Sequence, residues 1–205
     1  MLQYPSIPGF DSKQLKAHDN ADVIAFYKYD GSNLRWEWSP KQGWHKFGTR
    51  KQLFDQSSPL FNQAIPIFMD TMASDIERRV MQAFGRKVER ITAFTEFFGP
   101  SSFAGQHEHD EAKELKLFDV FIFKKGFIQP KPFLELFGKL PFTAKVVYQG
   151  PLTSDFRQQV FNNELDLEEG VIAKGTRNEF SLKLKTLDWY TKLKTRYADD
   201  WEARV

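Results

Sequence analysis

Cysteine is absent from all 205 residues. That excludes disulfides, zinc–thiolate centres and a cysteine nucleophile. A surplus of one charge is also missing: 29 Lys and Arg stand against 27 Asp and Glu, a formal net charge of +2. Such a chain has no global field for a polyanion, so contact with nucleic acid must rest on local basic patches. No apolar run approaches the length of a membrane span. The opening MLQYPSIPGF lacks the basic start and apolar stretch of a signal peptide. These absences fit a cytoplasmic protein, and the chain shows no internal repeat and no low-complexity linker.

What is present is ordinary globular material, 41% hydrophobic and 27% charged. The length suits a single domain over residues 1–205 with a real core. The 21 phenylalanines exceed what such a core needs, which leaves aromatic faces for stacking on bases. Residues 23–38 read as two strands joined by the turn YDGSN, and GWHKFGTR continues as another strand ending near Arg50. SDIERRVMQAFG spaces Ile76, Val80 and Phe84 for a helix that Gly85 stops. ERITAFTEFFG alternates into a strand ending at Glu96, and LKLFDVFIF is a dense aromatic strand. KPFLELFG and SDFRQQVFN read as short helices, the second with Ser154 as N-cap. EEGVIAKG and FSLKLK form a further strand pair, and the tail carries Leu187, Tyr190, Leu193 and Tyr197 at helical spacing. Strands and helices mix without a β-α-β rhythm, so the expected class is α+β with mainly antiparallel sheets flanked by helices.

The most informative stretch is VIAFYKYDGSNLRWEW. A strand ends on Lys28, Gly31 permits a positive φ, and Asp30, Ser32 and Asn33 offer hydrogen bonds to hold the turn. Alone, this reads first as a solvent-facing lysine before a hairpin. Other segments change the weighing. Glu169 heads an apolar strand, Glu96 ends another in aromatic surroundings, and Lys183 and Lys185, two apart, point to one face of a strand. Two cations side by side persist where something anionic sits between them.

In this order the segments resemble the covalent nucleotidyltransferase superfamily of ATP-dependent polynucleotide ligases and RNA capping enzymes. The pattern reads Lys28-Tyr29-Asp30-Gly31, Arg50, Glu96-Phe97-Phe98-Gly99, Phe118-Asp119, Glu169-Gly170 and Lys183-Leu184-Lys185. DNA ligases and capping enzymes carry arginine two residues after the glycine, whereas Asn33 here resembles the RNA ligase form. The KLKT continuation resembles the phage RNA ligase 2 branch, many of whose members carry a separate C-terminal domain. Only 20 residues follow Lys185, so the expectation is a catalytic domain alone, with a protein partner to supply end binding.

The resemblance implies a nucleotidyltransferase fold and an RNA ligase that uses ATP and Mg²⁺, with Mn²⁺ as a substitute. Lys28 would attack the α-phosphate of ATP, release pyrophosphate and carry AMP to a 5′-phosphate, which a 3′-hydroxyl then attacks. A lysine ordinarily titrates near ~10.4, so it needs nearby cations or a low-dielectric wall to act as a nucleophile. Lys183, Lys185 and the metal would be those cations, and Phe26, Tyr27 and Tyr29 the wall. Lys183 and Lys185 would also neutralise charge building on the phosphates. Glu169 would hold the metal, an oxygen ligand suiting Mg²⁺; its alternative is a salt bridge to a nearby lysine. Glu96 would bind the ribose hydroxyls, or pair with Arg90. Arg50 would grip ribose or phosphate, or remain an exposed loop residue. Asp30 and Asn33 belong to the nucleotide-binding turn. Phe118 would stack on adenine; Phe121 or Phe123 faces the opposite way, so one set is core, and if that set holds Phe118 a neighbouring phenylalanine stacks instead.

HEHDE, His107 to Glu111, has a metal-like look but reads as a solvated loop. Lys192, Lys194 and Arg196 suit either phosphate contact or a solvated helix face. The partners implied are RNA ends in repair, in nicked or broken RNA, a tRNA loop or an RNA–DNA duplex. The alternatives are a DNA ligase, a GTP-using capping enzyme or a non-catalytic RNA-binding module.

Overall fold

A computed structural model describes residues 1–9, 13 and 17–202. The tail residues 203–205, read with the last helix, lie outside the described residues. By its internal contacts the chain divides into two compact units, Met1–Pro5 with Gly31–Ala144, and Ser6–Asp30 with Lys145–Val205.

The first unit is built on a six-stranded antiparallel sheet. Its strands are β2 (Ser32–Ser39), β3 (Gly43–Thr49), β4 (Leu53–Phe54), β5 (Ile91–Phe98), β6 (Glu114–Ile122) and β7 (Gly126–Phe127). They lie in the order β4-β3-β2-β5-β6-β7. Helices α1 (Ala64–Thr71) and α2 (Ala73–Phe84) supply its cover, with α3 (Pro130–Phe137) following β7. Trp36 shows why β2 is central. Its ring stacks on Phe68 of α1 with centroids 4.1 Å apart, and its indole N–H donates to the Thr95 hydroxyl on β5 at 2.9 Å. In α2 the expected stripe holds: Ile76 and Val80 are fully buried, and Gly85 ends the helix at φ 81°.

The period of β6 breaks once. Phe94 lies opposite Asp119 and Thr95 opposite Leu117, which leaves Phe118 as the extra residue of a β-bulge. The bulge keeps Leu115, Leu117, Val120 and Ile122 on the buried face despite their uneven spacing. It also defeats simple alternation. Phe118 packs with Tyr4 and Phe94, and the aromatic cluster continues through Phe127 to Phe121. Phe121 therefore belongs to the cluster of Phe118, not to a face opposite it.

The second unit is built on a four-stranded antiparallel sheet, β10-β9-β1-β8. Here β1 is Asp22–Lys28, β8 Val146–Pro151, β9 Gly170–Gly175 and β10 Ser181–Lys185; the helices are α4 (Ser154–Phe161) and α5 (Leu187–Tyr197). One sheet face carries Val23, Ala25, Val171, Ala173, Leu182 and Leu184, packed with Phe156 and Val160 of α4. The cap of α4 is Thr153 rather than Ser154, its hydroxyl accepting from the Phe156 N–H at 3.1 Å. In α5 the buried residues are Trp189 and Leu193, while Leu187 is 48% exposed. Its core stripe is therefore rotated from the one the spacing suggested.

The strands flanking YDGSN do not pair with each other. β1 lies in the four-stranded sheet and β2 in the six-stranded sheet, so the turn carries the chain from one unit into the other. The fold is α+β with antiparallel sheets, as the mixed element order predicts. Among the described residues, no helix is long and apolar enough to cross a membrane.

Candidate active site

Three strand ends meet in the second unit. Lys28 closes β1 and lies directly opposite Gly170, which opens β9; Lys185 closes β10 on the other side of Gly170. A glycine is required between them. Its φ is 148°, and a Cβ there would sit 2.0 Å from the Leu184 carbonyl oxygen. Glu169, just before it, is 3% exposed. Its Oε2 receives Lys28 Nζ at 2.5 Å, and its Oε1 receives Lys185 Nζ at 2.9 Å. One carboxylate thus sits between two ammonium groups, and the Glu169 carbonyl is fixed by the Thr186 N–H at 3.0 Å.

Lys185 is almost fully enclosed, at 7% exposure. Burial pushes its ammonium down to about 8; Glu169 opposes that shift, and the charges of Lys28 and Lys183 add to it. Lys183 shares the Lys185 face, because Leu182 and Leu184 fill the core face between them. Its backbone N–H donates to the Pro8 carbonyl at 3.2 Å.

The expected apolar wall divides. Phe26 is on the Lys28 face of β1, 1% exposed, with Lys174 Nζ 5.3 Å from its ring centre. Tyr27 points to the opposite face, against the hydrophobic core, where its hydroxyl accepts from the Glu168 N–H at 3.0 Å. Tyr29 lies against Tyr27, with ring centroids 4.8 Å apart.

Asp30 reaches well beyond its turn. It is 8% exposed, and its Oδ2 accepts from the Trp189 indole N–H at 2.7 Å. Trp189 in turn lies under Lys185, whose Nζ is 3.4 Å from the ring centre. Sequence reasoning passed over Trp189; the signal was Thr186 three residues before it, the N-cap whose hydroxyl accepts from the Trp189 N–H at 3.1 Å.

The remaining candidates lie in the first unit. Gly31 is needed for space, not for a positive φ: a Cβ would fall 2.3 Å from the Phe97 carbonyl oxygen. Asn33 and Glu96 are direct partners across β2 and β5, and the Asn33 Oδ1 is buried without a hydrogen-bond partner among the described residues. Glu96 is half-buried, with Lys116 opposite on its other side. Arg90, its proposed alternative partner, precedes the far end of β5, 4.0 Å from Glu37 and stacked over Phe123 at 4.2 Å. Arg50 is exposed just after Thr49, which pairs with Leu34. Phe118 is the half-buried bulge residue. The structure thus joins Lys28, Glu169 and Lys185 directly, and Asn33 with Glu96.

The HEHDE segment is only partly solvated. His107 hydrogen-bonds the hydroxyls of Ser32 at 2.8 Å and Ser102 at 2.9 Å, while Glu111 pairs with Lys113 at 2.5 Å. No group of three metal-ligating side chains occurs among the described residues. Both carboxylate oxygens of Glu169 are taken by lysines, which is the salt-bridge alternative to a metal role.

No protein-family description matches the chain, and no curated protein matches it by sequence. Solved structures do. The chain is similar to Naegleria gruberi RNA ligase with pyrophosphate, at 16% identity and a TM-score of 0.65 over 95% of this chain and 60% of that one. It is similar to a variant of that ligase with AMP and manganese, at 14% identity and TM-score 0.61, covering 93% and 59%. A further variant with ATP and manganese matches at 14% identity and TM-score 0.59, again covering 93% and 59%. The chain spans about three fifths of the length of these neighbours. What it shares with them is the fold.

Proposed function

We propose that this chain is an ATP-dependent RNA ligase that seals 5′-phosphate and 3′-hydroxyl RNA ends through a lysyl-AMP and an AMP-capped 5′ end. The observation that carries the reading is the shared carboxylate: Glu169 between the Nζ atoms of Lys28 and Lys185, at 2.5 and 2.9 Å. A strand-end amine, 20% exposed at its side chain and held by a buried acid, is both reachable and oriented. The presence of ATP, AMP, pyrophosphate and manganese in the fold neighbours is in keeping with this chemistry.

Lys28 is the nucleophile. Once the ammonium has released a proton to water, the neutral Nζ forms a bond to the α-phosphorus of ATP as the bond from phosphorus to the pyrophosphate oxygen breaks. Lys185 and Lys183, on the same face, stabilise the negative charge that grows on the phosphate oxygens. Glu169 orients both amines and would hold Mg²⁺ or Mn²⁺, which when bound neutralises phosphate charge. Glu96 accepts from the ribose hydroxyls, Arg50 supports ribose or phosphate, and Asp30 and Asn33 shape the nucleotide turn. Phe118, the half-buried residue of the bulge, stacks on adenine. The substrates are nicked or broken RNA ends, a tRNA loop or RNA–DNA duplex included, in cytoplasmic repair, with a protein partner contributing to end binding.

The test is to incubate the protein with a 5′-phosphorylated RNA strand nicked on a complement, ATP and Mg²⁺. Sealed RNA together with an AMP-capped intermediate supports the reading. Equal sealing of DNA favours a DNA ligase, and protein labelling by GTP rather than ATP favours a capping enzyme. If no nucleotide labels the protein, the fold serves only as an RNA-binding module.

A further inference from the structure

We propose that Trp189 is a positioning residue for the lysine pair, its indole tying the turn after β1 to the end of β10. This rests on the ligase reading for its consequence, but its geometry is independent. Trp189 is 3% exposed and occupies the first turn of α5. One edge donates to Asp30, two residues after Lys28, at 2.7 Å. Its face carries Lys185, whose Nζ lies 3.4 Å from the ring centre. Lys185 then contacts Glu169, and Glu169 contacts Lys28. The contacts close a ring: Lys28, Tyr29, Asp30, Trp189, Lys185, Glu169 and back to Lys28.

A tryptophan chosen only to fill space would not need both its edge and its face used. A buried ammonium has three N–H bonds, and a single carboxylate oxygen does not satisfy all of them. The indole π-face supplies further negative potential to that ammonium. The N–H, at the same time, fixes where Asp30 can lie, and with it the backbone that ends at Lys28. Thr186 sets this geometry by capping α5 through the Trp189 N–H. The two functions of the ring are separable by substitution. Trp189→Phe keeps an aromatic face and loses the donor; Trp189→Leu loses both.

The experiment pairs a spectroscopic readout with a kinetic one. Protein labelled with ¹³C at the lysine ε-carbon should show one ε-methylene resonance shifted upfield by the ring, assigned to Lys185 by its loss in Lys185→Arg. Trp189→Phe should keep an upfield resonance and Trp189→Leu should not. The saturating rate of AMP transfer to the protein should fall about a hundredfold in Trp189→Leu, the scale of a misplacement near one ångström, and less than about tenfold in Trp189→Phe. Urea midpoints of both variants separate positioning from folding, because a space-filling role makes the rate track stability. Absence of the upfield resonance in the unsubstituted protein overturns the proposal, as do equal rate losses in the two variants. If the unsubstituted protein takes no AMP from ATP, the ligase reading fails, and the resonance alone still decides where Lys185 sits.

Discussion

Glu169 is the residue on which the site balances. It is 3% exposed and answers two ammonium groups, so removing its charge leaves buried Lys185 uncompensated. Breaking a buried pair from one side typically costs about 3–5 kcal/mol. Glu169→Gln is expected to lose stability on that scale in urea unfolding, together with AMP transfer; an unchanged midpoint would mean that the carboxylate is not the shared partner. Gly31 gives a second test at this scale. With a Cβ 2.3 Å from the Phe97 carbonyl oxygen, Gly31→Ala should destabilise by about 1–3 kcal/mol through overpacking. Were φ the only constraint, Gly31→Ala would be tolerated, because the backbone at Gly31 lies outside the positive-φ set.

Elements were legible in the sequence where their period was intact. α2 and β10 follow their apolar spacing, whereas β5 is buried on both faces up to Thr95 and runs to Phe98, two residues past the end that alternation suggested. β6 does not follow its spacing either, because the bulge at Phe118 inserts a residue that no alternation rule anticipates. The stripe of α5 was misjudged because Trp189 is claimed by Asp30 and Lys185, a tertiary demand absent from local spacing. The cap of that helix is testable: Thr186→Ala removes the acceptor for the Trp189 N–H and should cost about 1 kcal/mol in thermal or urea unfolding. The loop holding His107 carries a pH signature. Burial, then the charge of Lys113, lowers its pKa from 6.5 to about 4 in the folded protein. Between those values the unfolded chain binds a proton that the folded one refuses. The contribution is complete above pH 6.5 and is lost as pH falls toward 4. His107→Gln should therefore flatten the stability–pH curve in that window, and an unchanged slope would place the acid sensitivity elsewhere.

Across the whole molecule, the gathering of Lys185 near Lys28 was legible from the ordered motifs, while the strand pairing around the first turn was not. The turn YDGSN looked like a hairpin, yet the strands on either side enter different sheets, since pairing partners are chosen by distant segments. With a formal net charge of +2, the chain should make few phosphate contacts. Each such contact contributes about 0.7 to the slope of log affinity against log salt for a single strand. Binding to single-stranded RNA should then weaken less than about a hundredfold between 50 and 200 mM salt, and a thousandfold loss would reveal a basic path that the charge balance hides. Most direct of all is to react the protein with ATP and Mg²⁺, digest it, and locate the AMP by mass spectrometry. A nucleophilic Lys28 requires AMP on the peptide containing that residue, and none on Lys28→Ala or Lys28→Arg protein that still folds. AMP attached to another lysine, or transfer that survives either substitution, contradicts the role given to this strand end.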